Sequence, residues 1–119
     1  VLEKVKAHVD DVDFAVQPEI LSLLSSGNFG RYADEKGEMK VCFISNNDIT
    51  GGNSGSAMFN SKGELLGLAF DGNWEAMSSD ILYEPKMQRT IGVDVRYILF
   101  MIEKYGKAGN LIKELNIIN

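Results

Sequence analysis

The sequence predicts an α+β fold that is mainly β in its middle and helical at its C-terminus. Strand-like segments flank a hairpin signal in the centre of the chain, and "RTIGVDV" alternates like a further strand. The segment "VRYILFMIEKYG" carries apolar residues at helical spacing. A chain of 119 residues with 45% hydrophobic content is long enough for one compact domain with a core.

The first half of the chain predicts one short helix and one strand. Pro18 suits a first helical turn, "EILSLL" places three apolar residues on one face, and Gly27 can end the helix, so we expect it at about residues 18 to 25. The polar stretch "NFGRYADEKGEMK" is a connection, and "MKVCFISN" has the composition of a strand. Within this strand, Cys42 is expected to be a small buried apolar residue.

The centre of the chain predicts a β-hairpin. The runs "SAMF" and "ELLGLAF" are joined by "NSKG", in which Asn60 and Gly63 suit a type I turn followed by a left-handed glycine. Antiparallel pairing then places residues 69 and 70 opposite Ser54, with Asp71 and Gly72 beside it.

The second half predicts a long loop, a strand and two helices. The segment "DGNWEAMSSDILYEPKMQR" shows little periodicity and is expected to be a loop, and "RTIGVDV" follows as the strand. A helix is expected from about Asp94 to Gly106, and "NLIKELNI" predicts another, with Asn110 as its N-cap.

The stretch "DITGGNSGSAMFN" raises two interpretations of Ser54. Gly, Asn and Ser are typical turn residues, so Ser54 can be part of a tight turn. Alternatively it is a nucleophile, because Gly52 leaves backbone N–H groups free for a tetrahedral oxyanion and Gly55 permits a sharp turn. The order G-N-S-G-S differs from the G-x-S-x-G of α/β-hydrolases and matches a chymotrypsin-type nucleophile loop.

Several functional classes are disfavoured by composition. The net charge of -5 and scattered lysines and arginines argue against nucleic acid or an anionic membrane as partner. No apolar run is long enough to span a membrane, and the N-terminal segment "VLEKVKAHVDDVD" does not have the pattern of a signal peptide. One His, one Cys and no clustered carboxylates argue against a metal site, and no cofactor is expected. His8 is expected to be a surface residue, so the general base for Ser54 is lacking.

The motifs "NDITGGNSGS", "GLAFDGNWEAMS" and "QRTIGVDVRYILF" resemble the C-terminal portion of the bacterial dipeptidyl-peptidase 7 and 11 family of serine peptidases. The resemblance runs from about residue 30 to the C-terminus. It implies the C-terminal part of a chymotrypsin-like double β-barrel catalytic domain in residues 29–119, after a helical or linker segment in residues 1–28. It also implies that the triad His and Asp lie in an N-terminal portion outside this chain, so the isolated chain is expected to be inactive.

The family resemblance implies a role for each matching residue. Ser54 matches the nucleophile, and the N–H groups of Gly52 and Ser54 match the oxyanion hole. Asp71 matches the carboxylate that holds the substrate α-amino group, with Phe70 also expected to contact substrate. Gly72 matches the position that selects the P1 side chain, and glycine there implies the apolar preference of the dipeptidyl-peptidase 7 type. An arginine at this position favours acidic P1 side chains in the family, so Gly72→Arg is expected to shift the preference.

The resemblance implies peptides with a free N-terminus as substrates and the N-terminal catalytic portion as the structural partner. A periplasmic, cell-surface or secreted location is implied, and a homodimer is compatible with the sequence. The alternative function is a non-catalytic binding or structural module that retains the barrel. An endopeptidase is disfavoured, because Asp71 would block extended substrates. Two interpretations of Trp74 stay open: packing within the loop, or direct contact with substrate.

Overall fold

The computed structural model describes residues 2–78, 82 and 84–118 of the chain. These residues combine helices with a four-stranded antiparallel sheet, which confirms the predicted α+β class. They form two compact units, Lys40–Ile98 and the combination of Val1–Met39 with Leu99–Asn119. We call the first the sheet unit and the second the helical unit, and each is described by itself.

The sheet unit contains four strands in the spatial order β1-β4-β3-β2. The ring of Phe43, on β1, lies over Gly92 and Gly67 of the neighbouring strands, where the absence of a Cβ leaves room for it. A Cβ on Gly92 would lie 2.7 Å from Phe43 Cζ, and a Cβ on Gly67 would lie 2.8 Å from Phe43 Cε1. The predicted strands are confirmed, with the bounds β1 Cys42–Ser45, β2 Ala57–Phe59, β3 Leu65–Gly72 and β4 Thr90–Asp94.

The predicted β2–β3 hairpin is also confirmed. The Asn60 N–H donates to the Glu64 carbonyl at 3.0 Å, and the Gly63 N–H donates to the Asn60 carbonyl at 3.0 Å. Gly63 has a φ of 79°, the left-handed conformation that the turn was predicted to need. The register pairs Ala57 with Leu68 and Met58 with Gly67.

The helices agree with the sequence at all three predicted positions. The predicted helix at 18 to 25 is α2, and the helix expected from Asp94 to Gly106 consists of α3 and a π-helical turn. The helix predicted for "NLIKELNI" is α4. In the helical unit, Phe100 is 1% exposed and contacts the rings of Phe29 and Tyr32 edge-on. The helices are α1 Leu2–Ala7, α2 Pro18–Ser25, α3 Val95–Phe100, the π turn Met101–Tyr105 and α4 Gly109–Glu114, and 3-10 helices span Val12–Phe14, Gly30–Tyr32 and Trp74–Ser78.

The expectation that Cys42 is buried is wrong for the described chain. Cys42 is exposed, and it lies on β1 at the edge of the sheet. Desolvation still raises the pKa of its thiol, and the Asp94 carboxylate raises it further. The thiol is therefore protonated at neutral pH.

Two further expectations need correction. The predicted loop after β3 contains a 3-10 helix at Trp74–Ser78, whose short length leaves no apolar period to detect, and residues 79–81 and 83 lie outside the described part. Asn110 is not the N-cap of α4, because the helix already begins at Gly109 with Ala108 at the cap. Lys107, with a φ of 52°, turns the chain before that start.

We expect Asp94→Ala to lower the thermal unfolding midpoint more than Asp94→Asn does. The buried Asp94 carboxylate accepts the Arg96 backbone N–H at 2.9 Å at the start of α3 and forms an ion pair with the Arg96 guanidinium at 2.7 Å. Alanine removes the cap and the ion pair, at roughly 1–3 kcal/mol, whereas asparagine keeps an acceptor for the N–H. Asp10→Ala, at an exposed position, is the control. Equal losses for both Asp94 variants would contradict a capping role.

Candidate active site

The hinge at residues 47–55 is held in shape by the side chain of Asn53. Its Oδ1 accepts the Thr50 N–H at 2.9 Å and the Thr50 hydroxyl at 3.1 Å. Gly52 and Gly55 have φ values of 93° and 87°, which side chains rarely adopt, so the turn on either side of Ser54 requires glycine. The sequence thus places Ser54 at the tip of a tight, internally bonded turn.

The backbone N–H groups on either side of Asn53, those of Gly52 and Ser54, are left free by this turn. The N–H groups of Asn53, Gly55 and Ser56 donate to the carbonyls of Thr50, Ala69 and Asn53. The described residues provide no hydrogen-bond acceptor for the N–H of Gly52 or of Ser54. These two unpaired donors are suited to bind a developing oxyanion.

The hairpin continues into the hinge and places it against the end of β3. Gly55 N–H donates to the Ala69 carbonyl at 2.7 Å, and Ala69 N–H donates to the Ser56 carbonyl at 2.8 Å. The pairing of β3 with β4 is interrupted by a bulge between Ala69 and Asp71. The carbonyl of Phe70, in this bulge, accepts the Ser54 hydroxyl at 3.3 Å.

A concavity of about 210 Å³ lies between the hinge and the end of β3. Asp71 is exposed at its edge, and the Asp71 Oδ1 accepts the Gly72 N–H at 2.8 Å, while Oδ2 has no partner among the described residues. No lysine, arginine or histidine is among the residues found to line it, which are Ile49, Thr50, Gly51, Gly52, Ser54, Phe70, Asp71, Gly72, Asn73, Ala76 and Met77.

One wall of the concavity is the 3-10 helix Trp74–Ser78, which Asn73 anchors. Asn73 Nδ2 donates to the Met87 carbonyl at 2.8 Å, and Asn73 Oδ1 accepts the Arg89 N–H at 2.9 Å. The Asn73 N–H donates to the Arg89 carbonyl at 3.0 Å, and the Ala76 N–H donates to the Asn73 carbonyl at 2.9 Å. The wall is therefore attached to the segment before β4 by three hydrogen bonds of Asn73.

Arg89, in the segment before β4, directs its guanidinium toward backbone carbonyls. The guanidinium of Arg89 donates to the carbonyls of Pro85 and Gln88 at 2.9 and 2.6 Å and to that of Lys86 at 3.1 Å. The guanidinium charge is thus stabilised by the backbone carbonyls of residues 85, 86 and 88.

The sequence of the sheet unit contains no histidine. His8 belongs to the helical unit, where it is exposed as predicted and its ring stacks on Phe14 at 4.5 Å between centroids. Over the described ranges, His, Cys, Asp and Glu side chains form no group of three able to hold a metal ion. In the same part of the chain, every helix is too short or too polar to cross a lipid bilayer.

The structure brings together the residues that the sequence singled out. Ser54, Gly52, Phe70, Asp71 and Gly72 all line the concavity, and their roles stay predictions. Trp74 is 81% exposed among the described residues, and both interpretations of this side chain stay predictions.

Three contributing residues were missed by sequence reasoning. Asn53 and Asn73 act through hydrogen bonds from their side chains to the backbone. The sequence indicates such a role only through their positions, beside a turn for Asn53 and at the end of a strand for Asn73. Ala76 gave no signal, because its importance depends on which residue faces it across the concavity.

A serine at the tip of a glycine-rich turn, next to two unpaired backbone N–H groups, is typical of serine-type hydrolases that form a tetrahedral intermediate. The family model of Peptidase S46 matches residues 1–117 of the chain. The chain therefore belongs to the Peptidase S46 family.

Individual relatives support this assignment. The chain is 65% identical over 106 residues to "Dipeptidyl-peptidase 7" of Porphyromonas endodontalis, and 47% identical over 108 residues to "Asp/Glu-specific dipeptidyl-peptidase" of Capnocytophaga gingivalis. These matches cover 89% and 91% of this chain. The crystal structure of Porphyromonas endodontalis DPP11 in complex with the dipeptide Arg-Glu matches 95% of the chain with a TM-score of 0.87 and 43% identity. The chain spans 13%, 15% and 16% of the length of these three proteins.

Proposed function

We propose that the full-length protein carrying this chain is a serine-type dipeptidyl peptidase that releases dipeptides from the free N-terminus of peptides and prefers apolar P1 residues. The observation that carries the proposal is the arrangement of Ser54, Asp71 and Gly72 around one concavity. This arrangement supplies a nucleophile, an acceptor for an ammonium group and an uncharged pocket within the sheet unit.

The proposed reaction is acyl transfer through Ser54. The Ser54 Oγ attacks the carbonyl carbon of the second substrate residue, and its proton passes to a base in the N-terminal portion of the protein. The N–H groups of Gly52 and Ser54 donate to the oxyanion of the tetrahedral intermediate. The C–N bond then breaks, the protonated amine leaves, and water releases the dipeptide from the acyl-enzyme. The isolated chain, without that base, is inactive in this proposal.

Asp71 fixes the length of the released product in this mechanism. Its Oδ1 is held by the Gly72 N–H, which orients the carboxylate and leaves Oδ2 for a substrate ammonium. A charge-assisted bond to the α-amino group sets the distance between the substrate N-terminus and the attacked carbonyl. Substrates with additional residues before the amine would collide with this side of the concavity.

The pocket beside Gly72 favours an apolar P1 side chain. Among the residues found to line it, none carries a positive charge that could pair with a P1 carboxylate, and Asp71 would repel one. Burying an unpaired carboxylate is costly, whereas an aliphatic or aromatic side chain gains from burial. The greater identity to Dipeptidyl-peptidase 7 than to the Asp/Glu-specific relative, 65% against 47%, supports the same choice.

The proposal extends to the setting of the enzyme. Peptides with free N-termini are its substrates, and the N-terminal portion of the same protein completes the catalytic triad. We place the enzyme in the periplasm, at the cell surface or outside the cell, where such peptides are produced by other proteases.

A panel of fluorogenic dipeptides with free and blocked amino termini tests the proposed function on the full-length protein. We expect hydrolysis of free-amine substrates with Leu or Phe at P1, weak hydrolysis with Asp or Glu, and none of the blocked substrates. Ser54→Ala should lower kcat by roughly 10⁶-fold, because it removes the nucleophile. The isolated chain of 119 residues should show no hydrolysis. A full-length protein without Ser54-dependent hydrolysis would favour the non-catalytic module.

Asp71→Asn should raise KM and lower kcat/KM for free-amine dipeptides by roughly 10- to 100-fold, since the charged partner of the ammonium is lost. Asp48→Asn is the matched control, because Asp48 is exposed in the same hinge and is not among the residues lining the concavity. Unchanged kinetics in Asp71→Asn would exclude Asp71 as the amine anchor.

Gly52→Ala should lower kcat by roughly 10²- to 10³-fold, because a side chain disfavours the φ of 93° and turns the oxyanion donor away. The control is Gly37→Ala, whose φ of 78° imposes similar backbone strain in open space outside the sheet unit. Gly52→Ala and Gly37→Ala are expected to lose similar stability, but only Gly52→Ala should lose kcat. A similar loss of kcat in the two variants would mean that backbone strain, and not the position of the Gly52 N–H, causes the loss.

A further inference from the structure

A steric contact links Gly72 to the wall of the concavity. A Cβ added at position 72 would lie 2.8 Å from Ala76 Cβ and 3.4 Å from Ile49 Cγ2. The first distance is shorter than two carbon atoms tolerate without a shift. Ala76 is itself 8% exposed, so its methyl group already fills the space that a side chain at position 72 would enter.

The Ala76 methyl has little freedom to retreat. A Cβ moves only with its backbone, and the Ala76 N–H is bonded to the Asn73 carbonyl. Asn73 is in turn bonded through its side chain to Met87 and Arg89. Making room for a side chain at position 72 would therefore displace the 3-10 helix or break these bonds.

We propose that Ala76 is a second specificity-determining residue of the P1 pocket and that it acts as a pair with Gly72. This inference rests on the proposed dipeptidyl peptidase function for its substrate, while the steric coupling rests on the packing alone. Only one of the two positions has room for a side chain, so acquiring a residue at position 72 requires glycine at position 76.

The pair also controls the size of the pocket while Gly72 is present. The Ala76 methyl bounds the space beside Gly72, and both residues line the concavity that contains Ser54. A larger side chain at position 76 should reduce the room for P1, so Ala76→Val should favour P1 alanine over P1 leucine or phenylalanine. Ala76→Gly should retain P1 leucine and accept larger aromatic side chains better.

A double-mutant cycle on the full-length protein tests the coupling. The variants are Gly72→Arg, Ala76→Gly and the two combined, each measured by kcat/KM on free-amine dipeptides with Leu or Asp at P1. We expect Gly72→Arg alone to shift the ratio of the two kcat/KM values toward P1 Asp, as the family resemblance implies, but only through a large loss on P1 Leu with little gain on P1 Asp, and to melt earlier. The combined variant should exceed Gly72→Arg by at least about tenfold on P1 Asp and recover the melting temperature.

A second cycle reports on packing without an activity assay. Gly72→Ala should lower the thermal unfolding midpoint, and adding Ala76→Gly should restore most of the loss, because only the Cβ contact is altered. Additive effects in both cycles, or a complete switch to P1 Asp by Gly72→Arg at unchanged stability, would overturn the proposed pair. Wild-type protein without Ser54-dependent dipeptide release would overturn the proposed function instead, and the stability cycle would still decide the coupling.

Discussion

Two backbone hydrogen bonds between the hinge and β3 determine how Ser54 lies against the end of β3. They join Gly55 to Ala69 and Ala69 to Ser56, and so continue the hairpin beyond the end of β2. Side chains alternate between the faces of a strand, so a shift of one residue in this register would turn Asp71 away from the side it now shares with Ser54. The bulge at Phe70 has an equally local effect, because it leaves a carbonyl directed at the Ser54 hydroxyl.

The electrostatics of the concavity depend on a single charged group. Asp71 is the one ionisable side chain among the residues found to line it, and the Gly72 N–H holds one of its carboxylate oxygens. In the proposed mechanism this carboxylate attracts a substrate ammonium and repels an acidic P1 side chain, so one residue contributes to the choice of both the cleavage site and the P1 residue. The guanidinium of Arg89, in the segment before β4, is bonded to backbone carbonyls and is not among the residues lining the concavity.

Local signals in the sequence were enough for the hairpin and for α2, because a left-handed Gly63 and an N-terminal Pro18 act within a few residues. The neighbourhood of Ser54 and Asp71 followed from the hairpin register. Burial was predicted less well. The apolar, strand-like neighbours of Cys42 predicted a buried side chain, but its exposure depends on the place of β1 at the edge of the sheet, which the local sequence does not determine. The contact between positions 72 and 76 was not predictable, because it requires the 3-10 helix to fold back over the strand end.

Different hydrogen bonds hold the hinge and the pocket wall. The hinge is bonded to Ala69 of β3 and, through the Asn47 carbonyl, to the Thr90 hydroxyl of β4, whereas the wall is bonded to Met87 and Arg89 through Asn73. A substitution on the exposed side of the wall therefore leaves the bonds around Ser54 intact. Trp74 and Met77, at 81% and 73% exposed, are free to change without affecting the anchoring bonds. Position 76 lacks this freedom, because its methyl group faces the same space as position 72, so under the proposed pairing a side chain gained at position 72 has to be accompanied by a change at position 76.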